Sequence, residues 1–323
     1  MKIKAHKIHS LGIVNENFLY NIPDKLFNIS ISGDFISYSY QMPNGQMFRY
    51  DIDGEFTGNA PETLTGTITN LKKYFSDNGS LSWHKFQEWS DIDISVRAFI
   101  EQDKSTIINQ DITFIGGPAS PNTIFTGNGK NIVIPGVHKD VIMGGNDVDT
   151  VIFSVPRDDF IIDISGDNII VSDINQNPFN VNYTQNIERF VFKDGTLAFD
   201  VDGVAGQVYR LYQAALARTP DAEGIGYWIR ELDQGLDIAD LSLAFIISQE
   251  FESMYGSNIS NTEFVDNIYF NVLNRNSDEE GLQFWANAME QGLSRDQILL
   301  HFSESEENKS NTESATSEGI WFI

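Results

Sequence analysis

The hydrophobic positions change their period twice along the chain. Between residues 26 and 112 apolar and polar side chains alternate over runs of strand length. In LFNISISGDFISYSYQM, Phe27, Ile29 and Ile31 share one face, as residues two apart do on a strand. Pro43-Asn44-Gly45 reads as a hairpin turn into MFRYDIDGEF, and Asp77-Asn78-Gly79 as a turn into LSWHKFQEW. The alternation in LSWHKFQEW is imperfect, which predicts a bulge there. TLTGTITNL (63–71) is a further half-buried strand. These runs predict an antiparallel β module, of which a small sandwich is one form. Residues 1–25 read as a leader or first edge strand.

From residue 117 to 152 the period becomes nine: GPASPNTIF, TGNGKNIVI, PGVHKDVIM and GGNDVDTVI. Asn122, Asn131, Asp140 and Asp149 hold the sixth position. Ile124, Val133, Ile142 and Val151 hold the eighth. A nine-residue unit with early glycine and a late aliphatic is a tight turn followed by a short strand, repeated into a parallel roll. Glycine permits the crowded backbone of the turn. The aliphatic points inward. The carboxylate or carboxamide at the sixth position lies beside stacked turns. There, Asp140, Asp149, Asn122 and Asn131 could help hold a hard cation, with turn carbonyls near Gly127, Gly129, Gly136, Gly144 and Gly145 completing an oxygen shell. Asp147 either adds a carboxylate or faces solvent. Two of the four key positions are neutral, which predicts weak sites, on the order of 10⁻⁴–10⁻³ M for Ca²⁺. A cation-free Gly/Asn-rich solenoid is the alternative. Short strands continue at Val151–Phe153, Phe160–Ile164 and Ile169–Val171, and NIERFVFKDG places Phe190 and Phe192 inward. The roll with its closing strands spans residues 113–203.

At residue 204 the period becomes 3.6, with Val204, Val208, Leu211, Ala215 and Leu216 on one helical stripe. An internal repeat follows. VYRLYQAALARTPDAEGIGYW (208–228) aligns on VDNIYFNVLNRNSDEEGLQFW (265–285) at a constant offset of 57. Tyr212, Arg218, Asp221, Glu223 and Trp228 fall on Tyr269, Arg275, Asp278, Glu280 and Trp285. Each copy reads as three helices. Thr219 and Ser277 are expected N-caps of the second helix, and Gly235 and Gly292 its ends. Asp237 and the Ser294/Gln297 capping box begin the third. Trp228 and Trp285 are expected in the core, and the acids near Asp221 and Asp278 suit a helix N-terminus. The prediction for 204–307 is two similar bundles about a pseudo-twofold. Residues 308–323 form a Ser/Glu-rich tail expected to be flexible, ending in the apolar cluster Gly319–Ile323. The fold class is thus multidomain β + α: antiparallel β module, short degenerate parallel β-roll, duplicated all-α domain.

Composition narrows the partners. The 323 residues carry a formal charge of −25, so nucleic acid and anionic lipid are poor partners and cations good ones. The absence of cysteine excludes disulfides and thiolate metal sites. No run approaches the roughly 20 apolar residues of a membrane span, and the N-terminus lacks the apolar core of a cleavable signal. His6, His9, His84, His138 and His301 are scattered, with no HExxH, GxSxG or P-loop. Carboxylates are too abundant for a paired-acid glycosidase site to be excluded by counting.

The last nonapeptide, GGNDVDTVI, resembles the RTX (repeats-in-toxin) pattern GGxGxDxUx of bacterial proteins exported by type I secretion. Asp147 stands where that pattern has its third glycine. Pro118 and Pro135 intrude upstream, and His138 replaces a glycine. The RTPD…G…YW pattern over about residues 200–307 resembles the helical domain of unknown function 4214, found C-terminal to RTX repeats. The resemblance implies an extracellular, non-enzymatic, calcium-binding protein. It also implies a type I exporter that reads the C-terminal tail, and a helical domain that meets a surface layer, matrix or protein partner. Two alternatives remain: a secreted polysaccharide-active enzyme with its site in residues 26–112, and a cation-free structural cell-surface protein.

Overall fold

In a computed structural model of the chain, the described residues are 28–31, 34–41, 47–57, 65–76, 84–90, 94–95, 111–116, 123–174 and 180–323. The expectations for residues 1–25, for the two turns at 43–45 and 77–79, and for Asn122 lie outside them. The chain divides into two compact units, Met1–Lys193 and Asp194–Ile323.

The first unit is all β. Strands β1 (Asn28–Ile31), β2 (Phe35–Gln41), β3 (Met47–Thr57), β4 (Thr65–Ser76) and β5 (His84–Ser90) form an antiparallel meander. A short β6 (Ile94–Ser95) pairs with β4. Tyr50, Ile52, Phe56, Ile68 and Leu71 are buried, and the odd spacing of Ile68 and Leu71 is absorbed by the register shift at Asp53/Gly54. The bulge expected in LSWHKFQEW is present: β4 residues Lys73 and Tyr74 face Gln87 and Lys85, so Phe86 is the extra residue. The meander does not close into a separate sandwich among the described residues. Instead β5 pairs with β7 (Thr113–Gly116), and the same sheet runs on into the nonapeptide strands.

Those strands are β8 (Thr123–Phe125), β9 (Ile132–Ile134), β10 (Asp140–Met143) and β11 (Thr150–Ile152), one per nine-residue unit. They go to two sheets alternately. β9 pairs parallel with β7 on one side and with β11 on the other, and β8 pairs parallel with β10. A turn every nine residues therefore winds the chain as a two-sheet roll. Ile124, Val133, Ile142 and Val151 are at most 1% exposed and stack between the sheets. The hairpin β12 (Phe160–Ser165) and β13 (Asn168–Asp173), turned by Gly166 at φ +58°, interrupts the winding. It resumes with β14 (Val181–Gln185), parallel to β10, and β15 (Arg189–Phe192), parallel to β11. Phe153, Phe160 and Phe192 close the interior, with ring centroids 4.7–5.7 Å apart.

The second unit opens with β16 (Gly195–Ala198) and continues as eight helices: α1 (Val204–Leu216), α2 (Ala222–Asp233), α3 (Ile238–Ile246), α4 (Gln249–Tyr255), α5 (Asn261–Leu273), α6 (Glu279–Glu290), α7 (Arg295–Ser303) and α8 (Glu306–Thr316). Strand β17 (Ile320–Phe322) pairs antiparallel with β16. The unit boundary thus falls after Lys193 rather than at 203, because Gly195–Ala198 belongs to this β pair.

Four expectations are corrected. Each copy has four helices, and α1–α4 begin 57 positions before α5–α8. The copies do not make two bundles but share one core: α1 is buried nearly all round and packs on α3, α5 and α7, as a helix apolar on every side must. The expected flexible tail is helix α8 followed by docked β17, in which Ile320 and Phe322 are buried. The second helices are capped by Asp221 and Asp278, each accepting from the backbone N–H three residues on at 2.7 Å, rather than by Thr219 and Ser277. Asp237 and the Ser294/Gln297 pair cap as expected.

Candidate functional site

The roll turns bring the nonapeptide polar residues to two edges. On the first edge, Asp149 is fully buried and its carboxylate is met by four chain donors. Asn131 N–H and Asn131 Nδ2 reach Oδ1 at 2.9 Å each, Gly145 N–H reaches Oδ2 at 2.7 Å, and Thr126 Oγ1 reaches Oδ2 at 3.0 Å. A carboxylate has about four lone-pair positions, so this one is filled from within the protein. The same relation is passed along the edge. Asn131 Oδ1 accepts from Ile112 N–H at 3.0 Å, and Asp149 N–H donates to Glu188 Oε2 at 2.7 Å. The turns are close-packed as well: a Cβ on Gly145 would lie 1.7 Å from Gly127 O, and one on Gly144 1.7 Å from Asn186 O. The glycines at these positions are what lets the turns touch. Burial pushes the Asp149 carboxyl above the ordinary range, opposed by its hydrogen bonds from Gly145, Asn131 and Thr126.

On the second edge, Asp140 is fully buried at the start of β10 and accepts from Gly136 N–H at 3.0 Å. Its partner in β14 is Asn182, also 0% exposed. Among the described residues, neither atom of the Asn182 carboxamide has a hydrogen-bond partner. Sequence reading did not single out Asn182, which lies beyond the nonapeptides.

The remaining candidates fall into place around these. Asp147 is exposed at its turn, so it faces solvent. Gly129 is buried and its carbonyl accepts from Asn131 Nδ2. Gly127 has a φ of +88°, a left-handed value suited to glycine. Among the described residues no three His, Cys, Asp or Glu side chains are grouped to hold a metal. A hard cation would thus need carboxamide and main-chain oxygens beside a single carboxylate. That donor chemistry fits Ca²⁺, which accepts carbonyl ligands.

In the meander, Asp53 and Glu88 converge on Lys72 at 2.8 and 3.7 Å. The hydrogen bond to Asp53 raises the Lys72 ammonium above its usual range. Both acids are spent in ion pairing there.

In the helical unit the repeat builds one constellation twice. Arg218 pairs with Glu250 at 2.6 Å and lies 4.9 Å over the Tyr212 ring. Arg275 pairs with Glu307 at 2.6 Å and lies 4.9 Å over Tyr269. These clasps tie each fourth helix to the end of its first. Trp228 and Trp285 are half-buried against the shared core.

The architecture is that of a parallel β-roll protein carrying a duplicated helical domain. Residues 205–252 and 242–312 match the family model described as Domain of unknown function (DUF4214). The first segment covers α1 to α4 and the second runs from α3 to α8, so the match follows the duplication. No curated protein matches the chain. Among the described residues no helix is long and apolar enough to cross a membrane.

Proposed function

We propose that this is an extracellular, non-enzymatic RTX-type protein whose roll binds Ca²⁺ weakly and gains folding stability from it. It leaves the cell by type I secretion, and its helical domain meets a surface layer, matrix or protein partner. The supporting observation is the winding: each nine-residue unit places one strand in alternate sheets, and Asn131, Asp140 and Asp149 are buried at the edges. Ligand binding confined to the folded roll would couple directly to its stability. Burying the Asp140 and Asp149 carboxylates is costly, and a cation at the roll would offset part of that cost. The test is a calcium titration of chelator-treated protein, read by far-UV circular dichroism and melting temperature, with magnesium as control. The expected result is a saturable, calcium-selective rise in melting temperature, lost in the Asp140→Ala/Asp149→Ala double variant. No response up to about 10 mM, beyond the weak end of extracellular sites, overturns the calcium part.

The export part is tested separately. A chain lacking the last six residues should be retained in the producing cell, and normal export of that chain overturns it. Loss of β17 also disturbs the helical core, so the retained chain is compared with an Ile320→Ala/Phe322→Ala variant that keeps full length.

The fully bonded Asp149 edge favours a second reading, a structural cell-surface protein in which the roll holds no ion. Unchanged stability on adding calcium supports that one.

A further inference from the structure

The helical duplication repeats one feature that packing does not call for. On α2 Tyr227 is 51% exposed, and on α6 Phe284, at the same place in the second copy, is 63% exposed. A single exposed ring needs no explanation. Here the ring recurs while its neighbours change: Gly226, Arg230 and Glu231 give way to Gln283, Asn287 and Ala288. Phe270 is exposed too but has no such counterpart, since Gln213 holds its place in the first copy. Each repeated ring is braced edge-on by a half-buried tryptophan. Tyr227 meets Trp228 at 4.8 Å between centroids and 73°, and Phe284 meets Trp285 at 5.0 Å and 80°. The rings are thus held in place before a ligand arrives, which lowers the entropy lost on binding. One turn before each ring stands an acid, Glu223 on α2 and Glu280 on α6, and residues four apart share a helix face. The helix dipole accounts for acids in a first turn but not for a ring beside them. Among the described residues neither carboxylate has an ion pair or a hydrogen bond.

The same unit shows what such a pair takes. Arg218 lies over the Tyr212 ring and pairs with Glu250, and Arg275 lies over Tyr269 and pairs with Glu307. A guanidinium satisfies ring face and carboxylate together. Glu223 with Tyr227, and Glu280 with Phe284, offer the same two groups without the cation. We infer that these two sites take Lys or Arg side chains from a basic segment of a partner protein. The inference rests on the reading above in which the helical domain meets a partner, and it names that partner's chemistry. Charge complementarity carries the choice. The chain has a formal charge of −25, and α6 carries Glu279, Glu280 and Glu290 with no basic residue. A neutral glycan could stack on the rings but would gain nothing from that charge.

The experiment is calorimetric titration of the full chain with a synthetic peptide of alternating Arg and Ser, and separately with a neutral β-glucan oligosaccharide. Physiological ionic strength screens unspecific attraction between exposed charges. The parent is expected to bind the peptide. Tyr227→Ala/Phe284→Ala should weaken it by about tenfold, and Glu223→Gln/Glu280→Gln should weaken it similarly. Glu313→Gln/Glu318→Gln removes as much charge from exposed positions on α8 and the link after it, and should leave the affinity within about twofold. Circular dichroism confirms the fold of each variant. Peptide binding that the ring variant keeps is attraction to an acidic surface alone and overturns the inference. Glucan binding that the ring variant loses overturns it as well, and leaves the partner reading of the helical domain standing. If the ring variant fails to fold, unchanged affinity in Glu223→Gln/Glu280→Gln overturns the inference instead. Binding of neither probe overturns it too. The wider reading falls with it only when the immobilised chain also retains no surface-layer, matrix or culture protein.

Discussion

The two helical copies are built on the same plan and held in place by different forces. In the first copy the fourth helix, α4, buries Phe251 and Tyr255, whose rings stack at 4.1 Å. In the second copy the equivalent helix, α8, buries only Asn308, Thr312 and Thr316. It is tied to the end of α7 by Asn308 Nδ2, which donates to Ser303 O at 2.8 Å. The link from α7 to α8 is fixed at Glu304, both of whose oxygens are reached by Nε and Nη2 of the buried Arg210 at 2.9 and 2.7 Å. The second helices differ too. α2 buries Ile225, Gly226, Ile229 and Leu232, and Arg230 Nη1 donates to Ile323 O at 2.8 Å. Its counterpart α6 buries no residue, and Gln283 stands in place of Gly226. Duplication thus preserves where the helices start and the Asp and Ser caps of the second and fourth helices, because these depend on local sequence. Packing surfaces diverge, because the terminal strand covers only one of the two copies.

The sharpest test of that asymmetry is in the fourth helices. Phe251→Ala removes a buried ring and should cost about 3–5 kcal/mol of unfolding free energy. Asn308→Ala removes hydrogen bonds alone and should cost about 1–2 kcal/mol. Equal losses in a denaturant titration would show that α8 is docked as firmly as α4. The second helices come next. A Cβ on Gly226 would lie 2.3 Å from the backbone oxygen of Ile323, so Gly226→Ala should displace β17 and cost about 1–3 kcal/mol. Gln283→Ala, at the exposed counterpart, should be within about 0.5 kcal/mol of neutral.

A smaller effect separates the ends of the first helices. Ala217 and Asn274 both cap in the left-handed region, at φ +48° and +53°. Alanine is strained there and asparagine much less so. Ala217→Gly should therefore raise stability by about 1 kcal/mol, while Asn274→Gly should change it little. Thermal melting of the two variants decides the point.

The smallest effect tests what the copies share. Arg218→Ala and Arg275→Ala should each cost under about 1 kcal/mol, equally and less so at high salt, since both clasps are exposed. These clasps also set a pH dependence. Arg218 holds the Glu250 carboxyl below its usual range, and Arg275 does the same for Glu307. Their contribution is present above the ordinary carboxylate range and is lost as pH falls through the depressed values. Asp149 in the roll has the opposite sign. Its raised value favours the folded state at low pH and loses that contribution as pH rises through it. Acid should therefore loosen the fourth helices while the Asp149 edge gains, a divergence that hydrogen exchange at low pH can follow in the two units separately.

Much of this fold was legible in local pattern. The nine-residue period announced the alternating strands, and the offset of 57 announced the helical duplication. The same offset also held α8, since Ser248 and Glu250 fall on Ser305 and Glu307. It was missed because Asn308 and Thr312 replace Phe251 and Tyr255, which removed the apolar signal on which a packed helix is recognised. At the candidate site, Asp140, Asp149 and Asn131 were found by position, but their roles were not.

What the sequence alone determined, then, is where the chain turns, where its strands and helices run and which unit repeats. Those follow from glycine placement, capping residues and periodicity within a few neighbouring positions. Only the tertiary structure decided which groups meet the Asp149 carboxylate and which amide is left over. Alternation in VNYTQ alone would turn Val181 and Tyr183 inward, yet Asn182 and Thr184 are the buried pair. Asp149 meets Asn131 and Glu188 from turns 18 and 39 positions away. Hydrogen-bond satisfaction is settled by neighbours in space, and in this roll those neighbours come from separate windings of the chain.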